Sequence, residues 1–427
     1  MGFNTVEEPG ERQLEQPLTV NQDEREDCES HSSQPFTPKT EGLGFRELLP
    51  SVYLPALVSN VGRQLVTPVL PIFAKETLGL NDAAVGTLVS LEGLGGVAVN
   101  IPAGSFVSRF GSVRTSVVSA LVQSGSSVLA AVSVTPFELS ASRFLSGVSL
   151  SGWNMARQFF LANAVQGSNR GKAMSLIGAT IRIGQTFGPL GGGVLADKLG
   201  VRSVFFAQAA VAAVTCALVV IFMSRYDSHD DYGPRKGGRP EGEGGAGEEP
   251  APRARARSCT SALCPYGDVI ASCWRELLSA GFFCLLLSMI RQSRALLIPL
   301  VGHDLGLSKS AIGTVQAVGA VVDSSLFMVA GWMNDRYGRK WSGILSTAVL
   351  CGAFAVLSAA RSLPMLVGAS VLAGVGNGFS SGIINLLGAD TSAAAGPRRG
   401  EYLGLFRTLS DAGVMAGPFV AGCISSL

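Results

Sequence analysis

The sequence predicts an all-α membrane protein made of two pseudo-symmetric helix bundles, the second with five spans where six are expected. Three observations predict it. The 427 residues are 47% hydrophobic and only 15% charged, whereas an average soluble protein carries roughly a quarter charged residues. The apolar residues gather in eleven runs, each near the ~20 helical residues that cross a hydrocarbon core of about 30 Å. Markers in the first six runs then recur in the same order in the last five.

Residues 1–45 hold Glu7, Glu8, Glu11, Glu15, Asp23, Glu24, Glu26, Asp27 and Glu29 among prolines, serines and glutamines. Such a segment cannot bury enough apolar surface to offset its ordering entropy. It also lacks the early apolar core of a secretory signal and the basic character of a transit peptide, so a disordered cytosolic tail is expected. An N-terminal bundle follows over 46–223, with spans at about 49–73, 83–107, 113–133, 137–160, 173–196 and 201–223. The prolines inside these spans, Pro68, Pro71, Pro102 and Pro189, are tolerable where neighbouring helices re-satisfy the freed carbonyls. Residues 224–275 run through Gly-, Pro- and Glu-rich sequence to Arg253, Arg255 and Arg257, the composition of a flexible linker. A C-terminal bundle over 276–427 carries spans at about 277–301, 310–333, 341–360, 363–388 and 403–425.

Basic residues set the orientation. With the N-terminus cytosolic, basic groups on the cytosolic side outnumber those on the other, Lys75, Lys198, Arg202, Lys309 and Arg361, by about three to one, as the positive-inside rule requires. The repeat is equally plain. Arg63, Gln64 and Pro71 align with Arg291, Gln292 and Pro299 at one offset, and Gly104, Arg109 and Gly111 align with Gly331, Arg336 and Gly338. Gly184, Gly188 and Pro189 align with Gly413, Gly417 and Pro418. Six spans followed by copies of the same spans give both halves one orientation, about an axis along the membrane normal.

With these residues the chain resembles the major facilitator superfamily over roughly residues 45–425. Gly331, Asp335, Arg336, Gly338, Arg339 and Lys340 match the family's G-x-x-x-D-R-x-G-R-K loop between the second and third spans of a half. The first-half copy keeps Gly104, Arg109 and Gly111 but has Ser108 in place of the acid. Gly184, Gly188, Pro189, Gly192 and Gly193 match the fifth-span motif that the family associates with drug/proton antiporters. The resemblance implies two six-helix bundles around a central cavity and a cytosolic latch carried by Asp335 with Arg336 and Arg339. It also implies a twelfth span, which does not follow the eleventh before Leu427.

Ionisable residues inside a membrane are costly, so each is a functional candidate. Arg63 and Arg291 sit at matching depths of the first and seventh spans, with Arg294 one turn further along. They suit an anionic group or a carboxylate partner. Glu92 and Asp323 are the candidate titrating acids, a permanent ion pair to an arginine being the alternative for each, and Arg182 and Asp411 occupy equivalent repeat positions with opposite charge, as a gating pair would. Arg143 and Arg157 lie in the fourth span, Arg157 near its cytosolic end, where snorkelling to headgroups is the expectation. Trp153 reads as an interfacial or packing residue, with stacking on a substrate as the alternative. The eight cysteines show no zinc spacing, and no catalytic constellation or phosphate-binding loop appears. The expected function is therefore secondary active transport of a small organic solute by alternating access, as proton-coupled efflux. The alternatives are a facilitative uniporter and a non-transporting or truncated membrane protein. An enzyme, a cofactor, a metal site and a nucleic-acid partner are not expected. The partners are the bilayer, the solute and protons, around a monomer.

Overall fold

A computed structural model of the chain describes residues 48–164, 167–226, 270–392 and 399–426. The expected acidic tail at 1–45 and most of the expected linker at 224–275 lie outside those residues. Every apolar run becomes helix. The first span is split into α1 (Leu54–Leu65) and α2 (Leu70–Leu78), because Pro68 and Pro71 remove two amide donors within four residues. α3 (Asp82–Phe110), α4 (Ser112–Val132), α5 (Pro136–Ala164), α6 (Gly167–Leu199) and α7 (Val201–Leu218) complete the first half. The second half holds α8 (Phe282–Asp304), α9 (Lys309–Ser325), α10 (Phe327–Arg336), α11 (Arg339–Ser358), α12 (Leu363–Phe379), α13 (Ile383–Thr391) and α14 (Arg399–Ser425). α6, α8 and α14 run on through Pro189, Pro299 and Pro418, as packing in a bundle allows.

Among the described residues, seven helical stretches are long and apolar enough on their own to cross a membrane. The four spans that fall short of that measure carry the break or the charges: Arg63 in α1, Arg143 and Arg157 in α5, Arg182 in α6, and Arg407 and Asp411 in α14. Their polarity is not spread evenly over their surfaces, as the site below makes clear.

Packing repeats along with the sequence. α1 against α6, α3 against α5 and α4 against α5 in the first half match α8 against α14, α9 against α12 and α11 against α12 in the second. The halves meet along two equivalent seams, α6 with α9 and α3 with α14. Glycine makes these approaches possible, as close packing in a bilayer demands. A Cβ on Gly184 or Gly188 would collide with Asn60 or Gln64 of α1, and one on Gly413 or Gly417 with Leu285 or Met289 of α8. Across the seams, a Cβ on Gly193 would collide with Lys309, one on Gly313 with Pro189, one on Gly86 with Pro418, and one on Gly422 with Gly86 itself. At the basic loops, Gly111 (φ 85°) and Gly338 (φ 82°) turn the chain through backbone angles that L side chains rarely adopt.

The two ends of the bundle differ. Around Gly200, one apolar core spans both halves, joining Phe73, Val85 and Phe205 to Leu296, Leu300 and Ala421. Around Gly338, the cores are separate among the described residues. Leu48, Tyr53, Trp153, Phe160 and Met223 cluster within the first half, and Cys284, Tyr402 and Phe406 within the second. The halves are thus cemented at the Gly200 end and held apart in their packing at the Gly338 end.

Replacing Gly86 by alanine should lower stability by about 1–3 kcal/mol, since the added methyl must force α3 away from α14. Gly352→Ala, on an exposed face of α11 with open space around it, should be neutral or stabilising by up to about 1 kcal/mol. Thermal unfolding in one detergent checks both, and equal shifts would contradict the seam.

Candidate functional site: a central cavity

Between the halves lies a cavity of about 360 Å³, lined from both sides by Arg63, Glu92, Asn100, Arg143, Arg291, Arg294, Arg407 and Asp411 among other residues. Pockets of a few hundred Å³ suit small organic molecules. Each of the four spans that fail the apolar measure contributes wall residues, among them Arg63, Arg143, Gln185 and Arg407, alongside Glu92, Asn100, Arg291 and Arg294 from spans that pass it.

Two ion clusters stand on its walls. In the first half, Arg63 Nη2 reaches Glu92 Oε1 at 2.5 Å, and Arg143 Nη1 lies 3.8 Å from Glu92 Oε2. Gly147 packs α5 against the backbone carbonyl of Glu92, which brings Arg143 and Glu92 to one level. In the second half, Asp323 is buried between Arg182 Nη1 at 3.3 Å and Arg294 Nη2 at 3.9 Å, and it accepts a hydrogen bond from Asn377 Nδ2. Arg182 also donates to Ser381 Oγ at 3.0 Å and lies over the Phe327 ring at 4.5 Å. This cluster joins α6 of one half to α9 and the start of α10 in the other.

Arg182 and Asp411, the expected gating pair, do not face each other. Asp411 instead accepts a hydrogen bond from Asn100 Nδ2 at 3.2 Å, across the other seam. Asn100 in turn accepts from Ser151 Oγ, which also donates to the Gly96 carbonyl at 3.0 Å. Asn100, Ser151, Asn377 and Ser381 were not singled out from the sequence. The available signal was an asparagine inside an apolar span, as costly there as a charge unless it finds partners. Arg157 departs from the snorkelling expectation: it is 8% exposed, within the bundle, and donates to Asn154 Oδ1 at 3.1 Å. Its span turns that face toward the interior, so the guanidinium has no route to a headgroup.

The sequence motifs lie around the cavity, except for Pro189, which lines it. The fifth-span glycines set α6 against α1, and Gly193 sets it against α9. Arg109 is exposed and lies over Phe110 at 5.6 Å, and Arg336 lies over Trp332 at 5.9 Å. Gly104 and Ser108 fall within α3, and Gly331 has open space around it. Arg339 pairs with Asp390 of its own half, and Lys340 is exposed. Asp335 is exposed, with no ion pair among the described residues.

Charges lace the Gly200 end together. Lys75 joins Asp82 at 2.8 Å and Asp304 at 2.9 Å, and Lys309 joins Glu76 at 3.1 Å. Asp197 at the end of α6 accepts from the amides of Lys309 and Ser310 at 3.0 and 2.8 Å, where the start of α9 favours an anion. Partial burial raises the Asp197 carboxyl, but hydrogen bonds from Ser310 and the Lys309 amide outweigh it and hold the group below the ordinary value of 3.8.

The model of the Major Facilitator Superfamily matches residues 52–292 and 282–427. Among curated proteins, multidrug resistance protein 2 of Bacillus subtilis is 29% identical over 166 residues, 39% of this chain and 41% of that protein. An uncharacterized MFS-type transporter of Mycobacterium tuberculosis is 32% identical over 117 residues, 27% of each chain. The chain thus spans less than half the length of these relatives. Among solved structures, the nucleoside transporter NupG superposes with a TM-score of 0.65 at 13% identity, over 89% of this chain and 91% of that one. A bacterial homolog of the human lysosomal transporter Spinster, inward-facing and unoccupied, gives 0.66 at 15% identity, over 88% and 81%. At such identities the likeness is one of fold.

Asp323→Asn should strand two guanidiniums in the interior and cost about 3 kcal/mol or more. Glu92→Gln should cost less, because that pair is about a quarter exposed, and the order of the two Tm shifts checks this. For Asp197 the folded carboxyl titrates below the unfolded one. Its contribution is therefore complete above the ordinary value and fades as pH falls through the lower one. The Tm gap between the parent and Asp197→Ala should stay constant from pH 8 to 5 and close only below about 3.8. A gap already closed at pH 6 would refute the assignment.

Proposed function

The chain belongs to the Major Facilitator Superfamily, and from that premise we propose that it is a secondary active transporter moving a small organic solute by alternating access. One observation carries the reading: a polar, charged cavity between two repeats, cemented at the Gly200 end and, among the described residues, without a shared core at the Gly338 end. With the N-terminus cytosolic, as the distribution of basic residues favours, the cavity opens toward the cytosol. The two halves then rock about the seams, exchanging one closed end for the other.

Proton coupling assigns a role to each acid. Glu92 and Asp323 each lie against two guanidiniums and serve as fixed counter-ions. Asp411 lines the cavity with an asparagine as its hydrogen-bond partner and no cation within 4 Å among the described residues. We therefore assign the transported proton to Asp411. Efflux is the direction favoured by the similarity to a multidrug resistance protein. The loop Gly331–Lys340 then latches the cytosolic end when it closes, with Asp335 reaching a helix N-terminus of the opposite half. In the cytosol-open form Asp335 is exposed, as a released latch would be.

Purified protein in liposomes with an imposed pH gradient tests the coupling. Asp411→Asn should abolish gradient-driven flux while leaving solute exchange at equal pH within about threefold, an effect under 1 kcal/mol. Gradient-driven flux that survives the substitution identifies a uniporter. For the latch, Asp335→Asn should slow transport more than Ser108→Ala, and equal effects from both would remove the asymmetry between the two loops.

A further inference from the structure

Symmetry between the halves fails at one place that matters for the cavity. Gly147 packs on the carbonyl of Glu92, and at the equivalent contact in the second half Gly374 packs on the carbonyl of Gly319. Gly319 therefore stands where the first half has Glu92. The acid that answers Arg63 has no counterpart for Arg291, which the repeat places opposite it. Asp323 lies one turn further along α9 and is engaged by Arg182 and Arg294. Arg291 lines the cavity and makes no ion pair or hydrogen bond among the described residues.

A second observation points the same way. Arg143 is 2% exposed and lines the cavity from the first half, yet its Nε and Nη2 atoms have no hydrogen-bond partner among the described residues. Buried guanidinium donors left without partners are costly. Of the charged residues on the cavity wall, five are arginines and two are acids, Glu92 and Asp411. In a site of reduced dielectric this excess repels a cationic solute and attracts an anionic one. The remaining wall is rich in side-chain amides, among them Gln64, Asn154 and Gln292, which suit the polar body of a solute rather than a lipophilic one.

We propose that the cavity binds a small polar organic anion, its carboxylate or phosphate group seated on Arg291 and its far side reaching the free donors of Arg143. The planar guanidinium fork matches either group in a two-point contact. This names the substrate class for the transport reading above and rests on it, but binding can be measured without flux.

The test is ligand-dependent thermal stability of the full chain in a neutral detergent, with citrate, glycerol 3-phosphate, uncharged glycerol and the cation tetraphenylphosphonium as probes. Citrate or glycerol 3-phosphate should raise Tm in a saturable way, and glycerol and tetraphenylphosphonium should not. Arg291→Gln should weaken the anion response about tenfold or more, the effect of one charge-assisted contact, and leave the ligand-free Tm equal or higher because a cation without an ion-pair or hydrogen-bond partner is removed. Arg291→Lys should restore part of the response. A ligand-free Tm that falls in Arg291→Gln, with the anion response intact, would make Arg291 a packing residue and overturn the proposal. So would stabilisation by tetraphenylphosphonium alone, or by phosphatidylglycerol and neither soluble acid. Anion binding without flux in liposomes would instead sink transport and leave the anion site standing.

Discussion

Helix backbones touch where the two halves meet, and the rest of the molecule depends on that contact. Gly86 and Gly422 on one seam, and Gly193 and Gly313 on the other, leave no room for a Cβ. In a bilayer the lipid tails are as apolar as a leucine, so helices gain little by burying apolar surface against each other. Close packing over a small-residue stripe supplies the adhesion instead. Because the glycines cluster toward one end of each seam, adhesion is local. The Gly200 end closes into a core common to both halves, and the space between them persists as a cavity further along.

The same geometry explains where the charges lie. Each buried guanidinium faces the cavity or a partner within the bundle, since lipid would exact a far larger desolvation cost. The Arg182–Asp323 cluster spans the seam between α6 and α9, so it fixes the halves to each other. The Arg63–Glu92–Arg143 cluster lies within the first half and shapes its wall. Electrostatics therefore divides into a bridging part and a lining part, and rocking of the halves would strain the first far more than the second. Breaking a bridging pair while burying its members again on the other side is feasible only if new partners, a solute among them, replace the lost ones.

Much of the fold was legible in the sequence, because span length and the internal repeat follow from bilayer thickness and helix rise. The turn glycines Gly111 and Gly338 were legible for the same reason: a tight basic hairpin needs a left-handed backbone. Partner choice was not. Arg182 and Asp411 are equivalent by the repeat, and an axis between two halves carries equivalent residues to opposite seams, α6 with α9 and α14 with α3. Matching depth thus separates the two residues instead of pairing them. The inward face of Arg157 was not legible either, because position along a span says nothing of which face a residue occupies. The contact of Asn100 with Asp411 was invisible since 311 residues of sequence separate them.

In the proposed transport cycle one end of the bundle is closed while the other is open, and transport exchanges them. Pulsed electron-spin distance measurement on doubly labelled protein tests it most directly, with one pair of labels at Lys198 and Ser362 and another at Phe110 and Tyr337. Under an imposed proton gradient in liposomes, the Lys198–Ser362 distance should lengthen as the Phe110–Tyr337 distance shortens. Two distances that stay fixed, or that lengthen together, would contradict it.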